Sequence, residues 1–302
     1  SFHGGAIYVE DSSTLSCSSC SLQNNTAYMN GGAVYTDSWK VSFTNGSSIS
    51  SNIAQTGDGG GLYSGNSLNL TLSDVSFQAN QALDEGNLDG DSGVDRGRGG
   101  AIAFSQPLVF NLQNVEIIGN KARFGGGVYC PTASTTAIQN SLFDSNIANI
   151  SGGSIYSNAS SSFTVIDSMV RNSIAALSVN SRIGVGGDGG GGGMYLWGNS
   201  GNQMLFSNTT FLKNNASSGL GGAVHRSGGG ALAINNSSFF SNVGLEGGGL
   251  YLANGTSLLQ NITVRSNRGM EIGGGMKLDG TELAVIDDSN VIYNTADDSG
   301  GG

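Results

Sequence analysis

The 302-residue chain is poor in the residue types that carry most protein chemistry: two His, three Cys, two Trp and two Pro. So few His and Cys leave almost no room for a four-ligand zinc set or a family of nucleophile–base pairs. Two Pro rule out a collagen-like chain, and no Gly recurs at every third position. Charged residues make up only 11%, too few for a coiled coil or for a chain kept disordered by its own charge. The 12 Lys plus Arg are outnumbered by 22 Asp plus Glu, and a net charge of −10 argues against binding a phosphate backbone. No apolar run approaches the roughly 20 residues a membrane-spanning helix needs.

What the chain has in excess is glycine, 51 residues, beside a hydrophobic share of 37%. Such a composition belongs to low complexity or to a tight repeat. The repeat is there. A Gly-Gly-small-aliphatic station begins at Gly4, Gly31, Gly59, Gly99, Gly125, Gly152, Gly191, Gly221, Gly247 and Gly273, and another opens at Gly300. Eight of the ten intervals fall between 26 and 30 residues; the intervals of 40 and 39 mark insertions. A second station, an apolar residue followed by x-x-Asn-x-Ala, alternates with the first, as in Phe77/Asn80/Ala82 and Phe143/Asn146/Ala148. It is weakest in the sixth unit, Val170/Ser173/Ala175. Three residues before the apolar position stands a small polar residue, such as Asp74, Asn114, Asn140, Asp167, Asn208, Asn236, Asn261 or Asp288.

Short alternating apolar pieces bounded by Gly, Asn and Ser are strand signals, and no window carries a helical stripe. A unit this short cannot close its own core and must stack on copies of itself. The expectation is an all-β, single-stranded, right-handed parallel β-helix of about ten coils, with three short strands per coil. At the inter-strand spacing of roughly 4.8 Å, ten coils make a rod about 48 Å long. Residues 1–302 read as one continuous β-helix, uncapped at both ends, and hence as an excerpt of a longer chain or as a stacking unit. The insertions are placed at 84–98 and 176–190, both leaving the rod after the Asn station.

GGA[ILV] paired with FxxN resembles the repeat of the polymorphic outer-membrane proteins of chlamydiae. It is carried by GGAI at Gly4–Ile7 and Gly99–Ile102, and by GGAV at Gly31–Val34 and Gly221–Val224. FxxN stands at Phe77–Asn80, Phe143–Asn146, Phe211–Asn214 and Phe239–Asn242, with degenerate copies over nearly all the rest. The resemblance implies a surface-exposed β-helix with adhesive or scaffolding roles and no catalysis. The family's C-terminal membrane barrel has no counterpart in this sequence.

Several residue sets are candidates for function. Asn-x-Ser/Thr occurs at eleven positions. Asn208, Asn236 and Asn261 fall on the recurrent polar position and read as structural, which leaves Asn24, Asn45, Asn69, Asn149, Asn158, Asn215, Asn235 and Asn254 as glycosylation candidates. Seven units place a Tyr after the station's aliphatic residue: Tyr8, Tyr35, Tyr63, Tyr129, Tyr156, Tyr195 and Tyr251. If Val34 and Leu62 point inward, these rings point outward, either to stack on sugars or a partner rod, or to stack on each other. In the first insertion Asn87, Asp89, Asp91 and Asp95 alternate as in a calcium loop, but Ser92 replaces the turn glycine and Arg98 stands where a bidentate Glu is expected. A solvated acidic loop is the other reading of that segment, and calcium is the only cofactor the sequence suggests.

A polysaccharide-cleaving enzyme would need carboxylates converging on one face. Asp287-Asp288 and Asp297-Asp298 are adjacent in sequence and alternate to opposite sides, and His3 and His225 are many coils apart. Cys17 and Cys20 read as small core residues or a local disulfide, and Cys130 as a semi-buried strand residue. The functional expectation is therefore a non-enzymatic, extracellular or cell-surface, N-glycosylated rod that serves as scaffold or filament subunit. The alternative is an adhesin that binds a glycan or protein on one face. Partners would be further copies of the rod or glycans, and neither nucleic acid nor a transmembrane segment is expected.

Overall fold

A computed structural model describes residues 1–10, 13–66, 69–84, 96–106, 109–131, 135–158, 162–176 and 189–298. The chain winds as a parallel β-solenoid with four sheets, each of ten strands, and each strand pairs with its equivalents in the neighbouring coils. The second coil shows the unit: Val34–Thr36 in sheet A, Lys40–Thr44 in sheet B, Ser47–Ser50 in sheet C and Ile53–Ala54 in sheet D. The three strands expected per coil become four. The fourth is the two-residue piece around the Ala of the Asn station, too short for alternation to reveal it.

The turns follow from the stations. In this coil the backbone takes the left-handed conformation at Gly31, at Asn45–Gly46 and at Ser51. Small polar residues and glycine tolerate that conformation best, and Asp74, Asn114, Asn140 and Asp167 repeat the second of these corners. Both residues of the Gly-Gly station are required, for different reasons. Gly31 has φ +70°, while a Cβ on Gly32 would lie 2.1 Å from the carbonyl oxygen of Gly60 in the next coil.

The interior is a set of apolar files, one residue per coil. Ile49, Phe77, Ile117, Phe143, Val170, Phe211, Phe239 and Val264 share one register in sheet C and are fully buried. At the narrow corner of sheet D the file shrinks to Ala27, Ala54, Ala82, Ala122, Ala148, Ala175 and Ala216. Beside it runs a file of asparagines. Asn80 Nδ2 donates to Asn120 Oδ1 at 3.0 Å, and the Asn80 backbone N–H donates to the same oxygen. The same amide also donates to the Ile49 carbonyl, so each asparagine ties three coils together. Buried polar atoms that would otherwise be costly are thus consumed within the file.

Candidate binding face: the aromatic ladder and the insertion corner

The outward residues of sheet A begin Tyr8, Tyr35, Tyr63, Ala103, Tyr129, Tyr156, Tyr195, His225 and Tyr251 in successive coils. Neighbouring rings stack on each other: Tyr8 on Tyr35 at 5.1 Å, Tyr35 on Tyr63 at 5.4 Å, Tyr129 on Tyr156 at 5.2 Å and Tyr156 on Tyr195 at 4.9 Å between centroids. The ladder is not open along its length. Tyr8 is 49% exposed, but Tyr195 and Tyr251 are each only 6% exposed. Burial raises the phenol pKa of Tyr35 and Tyr63; at Tyr35 a hydrogen bond to Asp37 adds to it.

The gap at Ala103 is occupied by Arg98, whose guanidinium lies 4.9 Å from the centre of the Tyr129 ring. Arg98 reaches there from the point where the first insertion rejoins the rod. Its backbone N–H donates to Asp58 Oδ1 at 2.9 Å, and Nε donates to Asp58 Oδ2 at 3.0 Å. Burial disfavours the cation, but the Asp58 carboxylate outweighs that and the Arg98 pKa is raised. On the departing side Asp84 pairs with Arg123 at 3.1 Å. The second insertion returns by the same device, with the Gly190 N–H donating to Ser151 Oγ at 3.3 Å. After each return the next coil extends its sheet D strand and takes up one bridge, Arg98 to Phe124 and Gly190 to Leu220. Both insertions therefore leave and re-enter at the corner between sheets D and A, beside the aromatic ladder. Asn87, Asp89, Asp91 and Asp95 lie outside the described residues, as do residues 177–188.

His225 continues the ladder as a buried ring between Tyr195, at 4.8 Å, and Tyr251, at 5.0 Å. Its Nε2 is 2.8 Å from Ser227 Oγ, while Nδ1 has no hydrogen-bond partner. Burial pushes its pKa down to about 3, so the ring is neutral at physiological pH. Arg226, next in sequence, points inward and is fully buried. Its Nη1 donates to the carbonyls of Ala253 and Asn254, and its Nη2 to those of Gly230 and Thr256. It staples a corner across two coils with no carboxylate among these partners, and burial lowers its pKa.

The remaining candidates disperse. Asn24, Asn45, Asn149 and Asn254 are exposed; Asn69, Asn158, Asn215 and Asn235 are half-buried. Among the half-buried set, Asn69 Oδ1 accepts from the Thr71 hydroxyl and Asn215 Oδ1 accepts from the Ser217 N–H. Cys17 and Cys20 form a disulfide, and Cys130 is fully buried rather than semi-buried and takes no part in a disulfide. No group of three or more His, Cys, Asp or Glu is placed to hold a metal ion among the described residues.

The functional residues that pattern reading passed over are Asp58, Arg98 and Arg226. Asp58 and Arg98 had a signal: with His3 and Asn30 they are the polar residues just before successive Gly-Gly stations. In that column the N–H of one coil is caught by the side chain of the coil before, as the Asp58 N–H is caught by Asn30 Oδ1.

Residues 19–37 match the model of the Chlamydia polymorphic membrane protein repeat. Over those residues the coil is similar to the polymorphic membrane protein repeat. The match covers the end of one coil and the Gly-Gly station of the next, the segment in which both stations occur. No curated protein and no solved structure matches the chain.

Proposed function

We propose that this chain is a non-enzymatic β-helical rod displayed at a cell surface, where it acts as a scaffold. The observation that carries the reading is the unbroken four-sheet stack, combined with a repeat of the polymorphic membrane protein type. Its polar side chains are largely spent on holding the coils together: asparagine file, corner clamps and stacked tyrosines. Because both insertions emerge at one corner three coils apart, that corner is where the rod presents its inserted segments to a partner. Asn24, Asn45, Asn149 and Asn254 are the sequons best placed to carry glycans, since their side chains stand at exposed positions.

Negative-stain imaging of the purified rod tests the assembly. Filaments or lateral bundles support a structural subunit; isolated rods throughout a concentration series would leave only the adhesin reading. Treatment with a peptide:N-glycosidase tests the glycans, and the absence of any mass loss in protein purified from its own source would remove them from the proposal.

A further inference from the structure

A groove of about 480 Å³ runs along the rod axis at the corner between sheets B and C, away from the insertions. One wall is the file of exposed left-handed corner residues Asn114, Asn140, Asp167 and Asn208. The other is the first outward file of sheet C, in which Leu142 and Met169 stand between Glu116 and Thr210.

The two walls differ in chemistry. The carboxamides of Asn114, Asn140 and Asn208, with the Asp167 carboxylate between the last two, offer hydrogen-bonding groups at intervals of one coil, and Leu142 and Met169 offer an aliphatic strip. The floor is rigid: Ser141 and Ser168 each donate to a carbonyl of their own coil and accept an N–H from the coil before. Asn208 Nδ2 donates to Asp167 Oδ1 at 2.6 Å, which fixes one end of the polar wall. Asp144 and Arg171, paired at 2.7 Å, brace the sheet C side.

We propose that this groove binds a neutral, extended glycan lying along the rod. A pyranose ring presents hydroxyls at its rim and C–H groups on its faces, matching an amide wall opposite an aliphatic one. Three coil steps span about 14 Å, room for a short run of sugar residues. An extended peptide fits less well, because recognition by strand addition needs an open sheet edge. Here the strands cross the groove, and their N–H and C=O groups are already taken by the coils above and below. Anionic chains are disfavoured by Asp167 and Glu116 and by the net charge of −10. The groove needs only that the rod meets glycans, so its failure leaves the scaffold reading standing.

The test is saturation-transfer NMR with the full chain and cellohexaose, xylohexaose, chitohexaose and mannohexaose, with hexagalacturonate as the anionic control. At least one neutral hexaose should bind, with a Kd of about 1 mM or tighter. The double variant Asn140→Ala/Met169→Glu should weaken it about tenfold or more, and Tyr129→Ser should not. Far-UV circular dichroism must show both variants folded; if the double variant is not, Asn140→Ala alone takes its place. The proposal is overturned if no neutral hexaose binds, if hexagalacturonate binds in preference, or if the folded groove variant binds as the parent does.

Discussion

The hydroxyl of Ser154 lies 2.7 Å from that of Ser173, and the two serines together bridge a gap in the file of buried asparagines. Every other coil from the second to the tenth has Asn at this position; the sixth has Ser173, whose side chain is too short to reach its neighbours in the file. The sixth Gly-Gly station in turn carries Ser154 where other coils have Gly or Ala. Asn146 Nδ2 donates to Ser154 Oγ at 3.3 Å, and the Ser173 N–H donates to Asn214 Oδ1 at 3.2 Å. The hydrogen-bonded file is rerouted rather than cut.

This pairing predicts non-additivity. Ser173→Asn alone should destabilise, because the new carboxamide meets the Ser154 side chain. Ser154→Gly together with Ser173→Asn should restore the regular file and match or exceed the parent. A urea-denaturation double-mutant cycle should give a coupling of about 1 kcal/mol; additive effects would show that the serines act separately.

The asparagine file also makes a prediction about donors. Asn120→Asp keeps the shape but removes the hydrogen bonds that Nδ2 gives to the Phe77 carbonyl and Asn146 Oδ1, and sets a negative charge against that oxygen. The expected cost is about 3 kcal/mol or more, at the level of an uncompensated buried charge. Phe143→Asp, in the adjacent apolar file, should cost at least as much. Thermal unfolding and limited proteolysis would measure both, and a fold unchanged by Phe143→Asp would mean that the ring is not inward.

Much of this fold could be read from spacing, because a solenoid writes each structural position once per coil. Phe77, Phe143, Phe211 and Phe239 fall in one buried file because their intervals equal whole coils. The fourth sheet escaped because Ile53–Ala54 and four of its equivalents are two residues long and carry no alternation. The aromatic ladder was legible as a stripe, but its covering was not. Tyr195 packs on His225, and Tyr251 packs on His225 and clusters with Leu220, features of single coils rather than of the repeat. The Asp58–Arg98 pair spans an insertion, so its spacing is irregular, and only the shared place of both residues before a Gly-Gly station announces it. The Asn114–Asn208 groove was half legible: its polar file was visible, but the aliphatic file opposite lies in outward positions that repeat reading takes for solvent-facing.

Acid should act on the ladder through His225. Its pKa falls from 6.5 in the unfolded chain to about 3 in the fold, so between those values the unfolded state binds more protons. Stability from this site is therefore intact above about pH 6.5 and is lost as the pH drops towards 3, at up to about 1.4 kcal/mol per pH unit. His225→Phe should flatten the stability profile between pH 4 and 6.5, measured by urea midpoints. An unchanged slope would place the acid sensitivity elsewhere.

The clamp between Asp58 and Arg98 gives the sharpest test of how the insertions are held. Asp58 accepts both the backbone N–H and the guanidinium of Arg98, so Asp58→Ala removes the anchor at the point of re-entry and leaves a largely buried cation beside Tyr129. The loss should be about 2 kcal/mol, less than for a wholly enclosed pair because Arg98 keeps some contact with solvent. Asp58→Asn keeps one acceptor oxygen and should fall between the two. The effect should be local: amide hydrogen exchange should speed up at Arg98 and Gly99, while Gly152 and Gly153, two and more coils away, keep their protection. If exchange rises equally along the rod, Asp58 contributes to the global stack and not to the anchoring of the insertion. If it rises nowhere, the Gly59 and Gly125 contacts on either side suffice to hold the returning strand without it.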